Sequence, residues 1–320
     1  MRRGRKALLI TGAAVVLIAA ALFGAYYVHY VMPPAQRRTG FAMGSALTQT
    51  VWTSRSNGQY LLPLIEQEIQ IWQDYYPDTQ PPPDALEIME ATDGAFNPYL
   101  GALVKLWNID SKDGSPPYLP NQEEIDAALE KRGVDLGAYG KGDALGYVVD
   151  RYFPEWGVGV KAAVLNLGGN IAVFGQKYWG QPFKIALRDP KGGPNDTIGM
   201  FALQGTHFIS TSGSYEKYFE QDGKRYHHIF DPETGYPAER EPGLISVTVI
   251  NDNGAAGDAL STACFVLGYA QSLDVLQTYG CDAVFIYEDG KVRAAGGVRD
   301  YFTLTSPSYH WYDEGEMVKR

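Results

Sequence analysis

Residues 211–237 read TSGSYEKYFEQDGKRYHHIFDPETGYP. Aromatic and polar residues alternate through Tyr218 and Phe219, the chain meets Asp222-Gly223, and the alternation resumes at Tyr226. Asp-Gly between two β-prone runs predicts a hairpin, because both central positions of the favoured two-residue turn need positive φ. The hairpin leads His227 and His228 into Asp231-Pro232-Glu233-Thr234-Gly235, where Pro fixes φ and Gly supplies a positive φ, so a tight turn is expected. Upstream, Thr211-Ser212-Gly213 is expected to form another turn, with backbone N–H groups facing an anion. Two of the five histidines thus sit beside one rigid turn, a placement suited to proton transfer near neutral pH. A solvent-exposed hairpin whose histidines carry no chemistry fits the same residues.

Around this stretch the second half of the chain is rich in strands. Ala162 to Phe174 is two β-prone runs joined by Gly168-Gly169-Asn170, and Phe183 to Leu187, Gly199 to Leu203 and Leu244 to Ile250 alternate in the same way. Ala283 to Ala294 forms a further hairpin around Asp289-Gly290, and Ala255 to Leu267 between them is helical in character. The first half supplies helices. Apolar residues recur at helical spacing from Leu61 to Trp72, a second helix is expected near Ala85 to Glu90, and Asp93-Gly94 then turns the chain into a third over Tyr99 to Trp107. Asn121 with Glu124 three residues on frames a fourth as a capping box, with Gly133 beyond its end. Hairpin strands with helices set between them predict an α+β fold on mainly antiparallel sheet with flanking helices.

The chain has 320 residues, 45% of them hydrophobic, enough for one large core, and neither a domain break nor an internal repeat shows. A net charge of -10 argues against a nucleic-acid partner, which needs a basic surface. The two cysteines, Cys264 and Cys281, each lie in an apolar run and read as buried thiols. At the N-terminus, Arg2, Arg3, Arg5 and Lys6 precede an uncharged run from Ala7 to Val28. About twenty apolar residues span a bilayer, and a basic flank stays cytoplasmic. Residues 1–32 therefore read as a basic segment and single transmembrane anchor, 33–40 as a linker and 41–320 as the folded domain on the extracytoplasmic side of a bacterial cell membrane. A signal peptide cleaved after Ala19-Ala20-Ala21 is the competing reading, with the same compartment for the domain.

Two further segments carry chemistry. Asp258 and Thr262, four residues apart, project from one face of their helix, and a carboxylate beside a hydroxyl supplies the hard oxygen ligands that Mg²⁺ takes. Taken alone, the pair reads rather as a carboxylate set against the helix dipole and a threonine bonded to its own backbone. In Val134 to Gly142, VDLGAYGKG, three glycines around Lys141 let backbone approach a ligand closely while the lysine meets a phosphate. A strand-to-helix turn with a solvated lysine is the alternative.

In order, the chain carries Met43-Gly44-Ser45; Gly94-Ala95-Phe96-Asn97-Pro98 with Leu106-Trp107; Asp135-Leu136-Gly137-Ala138 with Lys141-Gly142; Asn166-Leu167-Gly168-Gly169-Asn170; Thr211-Ser212-Gly213 through His228-Ile229-Phe230-Asp231-Pro232-Glu233-Thr234-Gly235-Tyr236-Pro237; and Asp258-Ala259-Leu260-Ser261-Thr262-Ala263. This succession resembles the FAD:protein FMN transferases of the ApbE family over nearly everything after the N-terminal segment. The resemblance implies a T-fold-like α+β domain and a Mg²⁺-dependent reaction that breaks the FAD pyrophosphate, attaches FMN by a phosphoester to a Thr or Ser of a partner protein and releases AMP. By motif, Asp258, Thr262 and the backbone carbonyl of Ala138 would hold the metal. Met43, Tyr75, Ala95, Phe96 and Asn97 would line the FAD site together with Asp135, Lys141 and Ile229. His228 would be the base for the acceptor hydroxyl, and the acceptor would be an extracytoplasmic redox-complex subunit or FMN-binding domain. The chain departs from the family at Asn97, where Asp is usual, at Tyr99, at Gly140 and at Gln80-Pro81-Pro82-Pro83. An FAD-binding or storage protein and an FAD pyrophosphatase yielding FMN and AMP are the alternatives.

Overall fold

A computed structural model describes residues 15–27, 33–75, 80–111, 114–154 and 159–312, the side chains of 74 and 75 excepted.

 Two-residue turns account for much of the strand order. The β1 (Ala35–Ala42) and β2 (Ser45–Trp52) hairpin turns at Met43-Gly44, and that of β3 (Ala162–Leu167) and β4 (Asn170–Gly175) turns at Gly168-Gly169, all four residues at positive φ. β5 (Phe183–Arg188), β6 (Thr197–Leu203) and β7 (His207–Gly213) follow. The expected Asp222-Gly223 hairpin is β8 (Tyr218–Gln221) and β9 (Lys224–His227), with both turn residues at positive φ. β10 (Leu244–Asn251), β11 (Asp282–Tyr287), β12 (Lys291–Ala295), β13 (Phe302–Leu304) and β14 (His310–Trp311) complete the strands.

Nine strands form one sheet in the order β1-β2-β3-β4-β7-β10-β11-β12-β14, antiparallel except for the last pair. β13, β6 and β5 make a second, smaller sheet. On one face of the large sheet lie α1 (Arg55–Tyr75) and α5 (Gly140–Tyr152), packed on β1 to β4 through Leu47, Val51, Ile65, Ile69, Val148 and Leu165. Beside them α6 (Gly254–Leu267) and α7 (Tyr269–Thr278) cover β10 and β11 through Val247, Val249, Leu260 and Phe285. The alternate residues Ile250, Val284 and Ile286 point the other way, into the small sheet, against Phe201 and Phe302. The central strands are thus buried on both faces, and the fold is the expected α+β arrangement.

α2 (Pro83–Ala91), α3 (Gly101–Trp107) and α4 (Gln122–Lys131) extend from this frame. The capping box of α4 is complete: Asn121 Oδ1 accepts from the Glu124 N–H and the Glu124 carboxylate accepts from the Asn121 N–H. Both cysteines are free and buried.

Two expectations are corrected. Residues 35–40 are not linker but most of β1, whose register runs from Ala35 opposite Trp52 to Ala42 opposite Ser45. Thr211-Ser212-Gly213 is not an anion-facing turn but the end of β7, paired with Thr248, Val247 and Ser246 of β10. Ladder pairing with β10 outweighs the turn preference of these small residues. The proposed anchor lies largely outside the described residues. Residues 15–27 of it are helical and expose Val15, Leu17, Ile18 and Leu22, and no helix among the described residues is long and apolar enough to cross a membrane.

Candidate active site

α5 and α6 touch backbone to backbone. A Cβ on Gly142 would stand 2.0 Å from the Gly254 carbonyl oxygen and 2.6 Å from Asp258 Cβ, so only glycine permits this approach. The contact lets the Gly142 N–H donate to Asp258 Oδ2 at 2.9 Å. Asp258 is 5% exposed and also accepts a side-chain hydrogen bond from Asn170. Burial pushes its carboxyl pKa up, while the Lys141 charge and these donors oppose that rise.

One turn along α6, Thr262 belongs to a chain of hydroxyls whose protons can be assigned. Ser261 Oγ donates to the Asp258 carbonyl at 2.8 Å. Ser212 must then donate to Ser261, 2.8 Å away, and Thr262 to Ser212, 3.0 Å away. Each hydroxyl has one proton, so this order leaves the lone pairs of Thr262 Oγ1 available to a cation. Among the described residues no three His, Cys, Asp or Glu side chains cluster as a metal site. The donors that fit a cation here are one carboxylate, one hydroxyl and neutral oxygens, a set that suits Mg²⁺ with the rest of its shell open to water or a ligand.

The loop before α5 is held rigidly. Asp135 Oδ1 accepts from the Gly137 N–H at 2.6 Å, and the Asp135 N–H donates to the Pro98 carbonyl at 2.9 Å, which ties this loop to residues 95–98. Ala138 is partly buried against the α6 cluster. Lys141 Nζ donates to the Gly137 carbonyl at 3.0 Å, and its charge acts on both Asp258 and His228. A Cβ on Gly168 would meet Ser45 Oγ at 2.5 Å and Lys141 Cδ at 3.7 Å, and one on Gly140 would meet Met43 Cε at 3.3 Å. The β1–β2 and β3–β4 turns therefore converge with Met43 on the N-terminus of α5.

His228 follows β9. Its backbone N–H and its ring Nδ1 both face the Lys217 carbonyl, at 3.1 and 3.2 Å. A carbonyl only accepts, so Nδ1 carries the proton and Nε2 keeps a lone pair. Burial first, then Lys217, pushes the His228 pKa down to about 4, with Lys141 adding in the same direction and Asp110 opposing. His227, by contrast, is buried at 5% exposure, with Nε2 on the Ala238 carbonyl at 3.2 Å and its ring edge-on to Phe265. The two histidines differ accordingly: one is packed, the other presents a free ring nitrogen.

The turn after His228 is clamped from two sides. Arg240 donates to both carboxylate oxygens of Asp231, at 2.6 and 2.8 Å. Trp107, wholly buried, donates its indole N–H to the Gly235 carbonyl at 3.0 Å and packs against Phe230, Tyr226 and Tyr236.

The remaining expected residues lie around this centre with different roles. Ala95, Phe96 and Ile229 are buried and pack with Tyr139 and Ala238. Asn97 Oδ1 accepts from the Tyr99 N–H at 2.9 Å, and Asn97 lines a cavity of about 790 Å³ with Tyr99, Arg132 and Pro232. Asp258, Lys141 and His228 do not line that cavity. The side chain of Tyr75 lies outside the described residues. Sequence reasoning missed Ser212 as the partner of Thr262, Asn170 as the partner of Asp258, and Asp143. Asp143 follows Gly142, accepts from Trp72 Nε1 at 2.8 Å, and is pushed up to about 6, chiefly by burial and further by Asp258. An acidic residue directly after Lys141-Gly142 was the available signal for Asp143; Ser212 and Asn170 had none beyond their place in the motifs.

The ApbE family profile matches residues 83–285. The FAD:protein FMN transferase of Treponema pallidum is 35% identical over 248 residues, spanning 68% of this chain and 67% of the relative. The FAD:protein FMN transferase of Salmonella typhimurium is 33% identical over 230 residues, 65% of this chain and 64% of that protein. The crystal structure of the ApbE protein of Thermotoga maritima superposes with a TM-score of 0.68 at 27% identity, covering 84% of this chain and 99% of that one. The profile match spans more than half of the chain and includes Lys141, His228, Asp258 and Thr262, so the chain belongs to the ApbE family and, with it, to the transferases.

Proposed function

We propose that this chain transfers FMN from FAD to a Thr or Ser hydroxyl of an acceptor protein through a phosphoester bond and releases AMP, with Mg²⁺ held by Asp258, Thr262 and the Ala138 carbonyl. The observation that carries this reading is the convergence of Asp258, Lys141 and His228: the lysine charge acts on both of the others. The names of the curated relatives support the flavin substrate and the protein acceptor. When bound, Mg²⁺ supplies charge neutralisation at the pyrophosphate.

The chain's own residues do the rest. Lys141 places a positive charge at the opening of α5, next to a loop that Asp135 holds in place. His228, neutral above about pH 4 and with Nε2 free, takes the acceptor's hydroxyl proton as the oxygen attacks the FMN phosphorus. The P–O bond to AMP breaks as the new phosphoester forms. Met43, Ala95, Phe96, Asn97, Asp135 and Ile229, together with Tyr75, are proposed to seat FAD. Arg2 to Lys6 and the uncharged run behind them support a chain tethered to the cell membrane with its catalytic part outside the cytoplasm, where an FMN-carrying redox subunit would be the acceptor.

The test incubates the protein with FAD, Mg²⁺ and an FMN-binding domain carrying an acceptor threonine, then reads that domain by intact-mass spectrometry. A mass gain equal to FMN, abolished by chelation and in Asp258→Ala, is expected. Free FMN and AMP without that gain would replace transfer by hydrolysis, and FAD bound but unchanged would leave a binding protein.

A further inference from the structure

Asn170 opens β4 directly after the Gly168-Gly169 turn and is 5% exposed. Its amide is used at one end only. A carboxylate accepts and cannot donate, so the hydrogen bond to Asp258 comes from the amide nitrogen. The other end, Oδ1, is buried and has no hydrogen-bond partner. Buried side-chain oxygens without a partner are uncommon, and each calls for an occupant such as a water or an ion. The other such atoms among the described residues belong to Gln49 and Ser246. Gln49 lies on β2, and Ser246 on β10 opposite Gly213. Asn170 differs from them in being bonded to Asp258.

We infer that Asn170 is a further oxygen donor to the divalent cation at Asp258 and Thr262: its amide nitrogen orients the Asp258 carboxylate while its Oδ1 enters the cation's shell. The inference rests on the metal reading given above. Amide oxygens are ordinary ligands of hard cations, and a neutral one adds a ligand without adding charge. The placement also follows from the fold. The β3–β4 turn lies against Lys141, so the first residue after the turn reaches the carboxylate that also accepts from the Gly142 N–H.

The test titrates Mn²⁺ into the full-length protein with FAD present and follows free Mn²⁺ by electron paramagnetic resonance, comparing wild type with Asn170→Ala and Asp258→Ala. Asn170→Ala is expected to weaken Mn²⁺ binding about 10- to 100-fold, with its thermal unfolding checked by circular dichroism. Asn170→Cys separates a ligand from a merely structural amide. It is expected to favour Cd²⁺ over Mn²⁺ and to show a thiolate-to-cadmium charge-transfer band that wild type, with Cys264 and Cys281 buried, lacks. Unchanged Mn²⁺ affinity in Asn170→Ala, or no such band in Asn170→Cys, overturns the inference while leaving the metal at Asp258 in place. Wild type that binds no Mn²⁺, or binds it as well after Asp258→Ala, removes the metal reading itself and this inference with it.

Discussion

The ring of His228 owes its low pKa to burial and to Lys217, whose side chain also pairs with Asp110. Lys217→Met removes the nearby positive charge and leaves Asp110 unpaired, and both changes favour the protonated imidazole. The backbone carbonyl that holds Nδ1 remains. With His228 as the proposed base, which acts in its neutral form, the wild-type kcat/KM for the acceptor should fall on the acid side only near pH 4. In Lys217→Met that limb should move upward, which a pH–rate profile of both proteins reads directly. A wild-type limb near the ordinary histidine value would mean that burial does not govern this ring.

The crossing of α5 and α6 sets the distance between Lys141 and Asp258, and Gly142 is its contact point. Gly142→Ala forces a Cβ onto the Gly254 carbonyl and against Asp258, so the helices must separate. A loss of about 3 kcal/mol is expected from this overpacking, with the Gly142 to Asp258 bond lost as well; urea unfolding measures it. α3 acts on the other side of the site through Trp107. Trp107→Phe keeps a ring but leaves the buried Gly235 carbonyl without its donor, which should cost about 1–3 kcal/mol in the same measurement. A value near zero would show that the turn after His228 is held by the Asp231 to Arg240 pair alone.

For the whole molecule the buried titratable groups set how stability varies with pH. His227 and His228 are lowered to about 4 from the ordinary 6.5, so between those values the unfolded chain binds more protons and stability rises with pH. Asp143, raised to about 6 from 3.8, works with the opposite sign across much of that window, because the folded chain keeps its proton longer. Stability should therefore climb between about pH 4 and 6.5, full above that range, with Asp143 offsetting part of the gain. Asp143→Asn removes the offset and should steepen the climb. Denaturant midpoints at a series of pH values check this, and an unchanged slope in the variant would contradict the raised Asp143 pKa.

What the sequence determined by itself is local. Asp222-Gly223 forced a hairpin because only a primed turn suits the twist of its strands, and Asn121 with Glu124 forced the start of α4 because helix N–H groups need acceptors. The spacing of Asp258 and Thr262 put both on one helix face before any partner was known. Tertiary structure alone decided which strands lie in the centre, since β7 and β10 are paired on both edges while Thr211-Ser212-Gly213 of β7 read as turn formers in isolation. It alone also assembled the site. Asn170 and Asp258 are far apart in sequence and meet only where the β3–β4 turn reaches α6, and Ser212 points at Thr262 only because β7 runs beneath that helix. A side chain's nearest neighbours along the chain fix its backbone, whereas its hydrogen-bond partner here comes from another element, and that choice is made by packing.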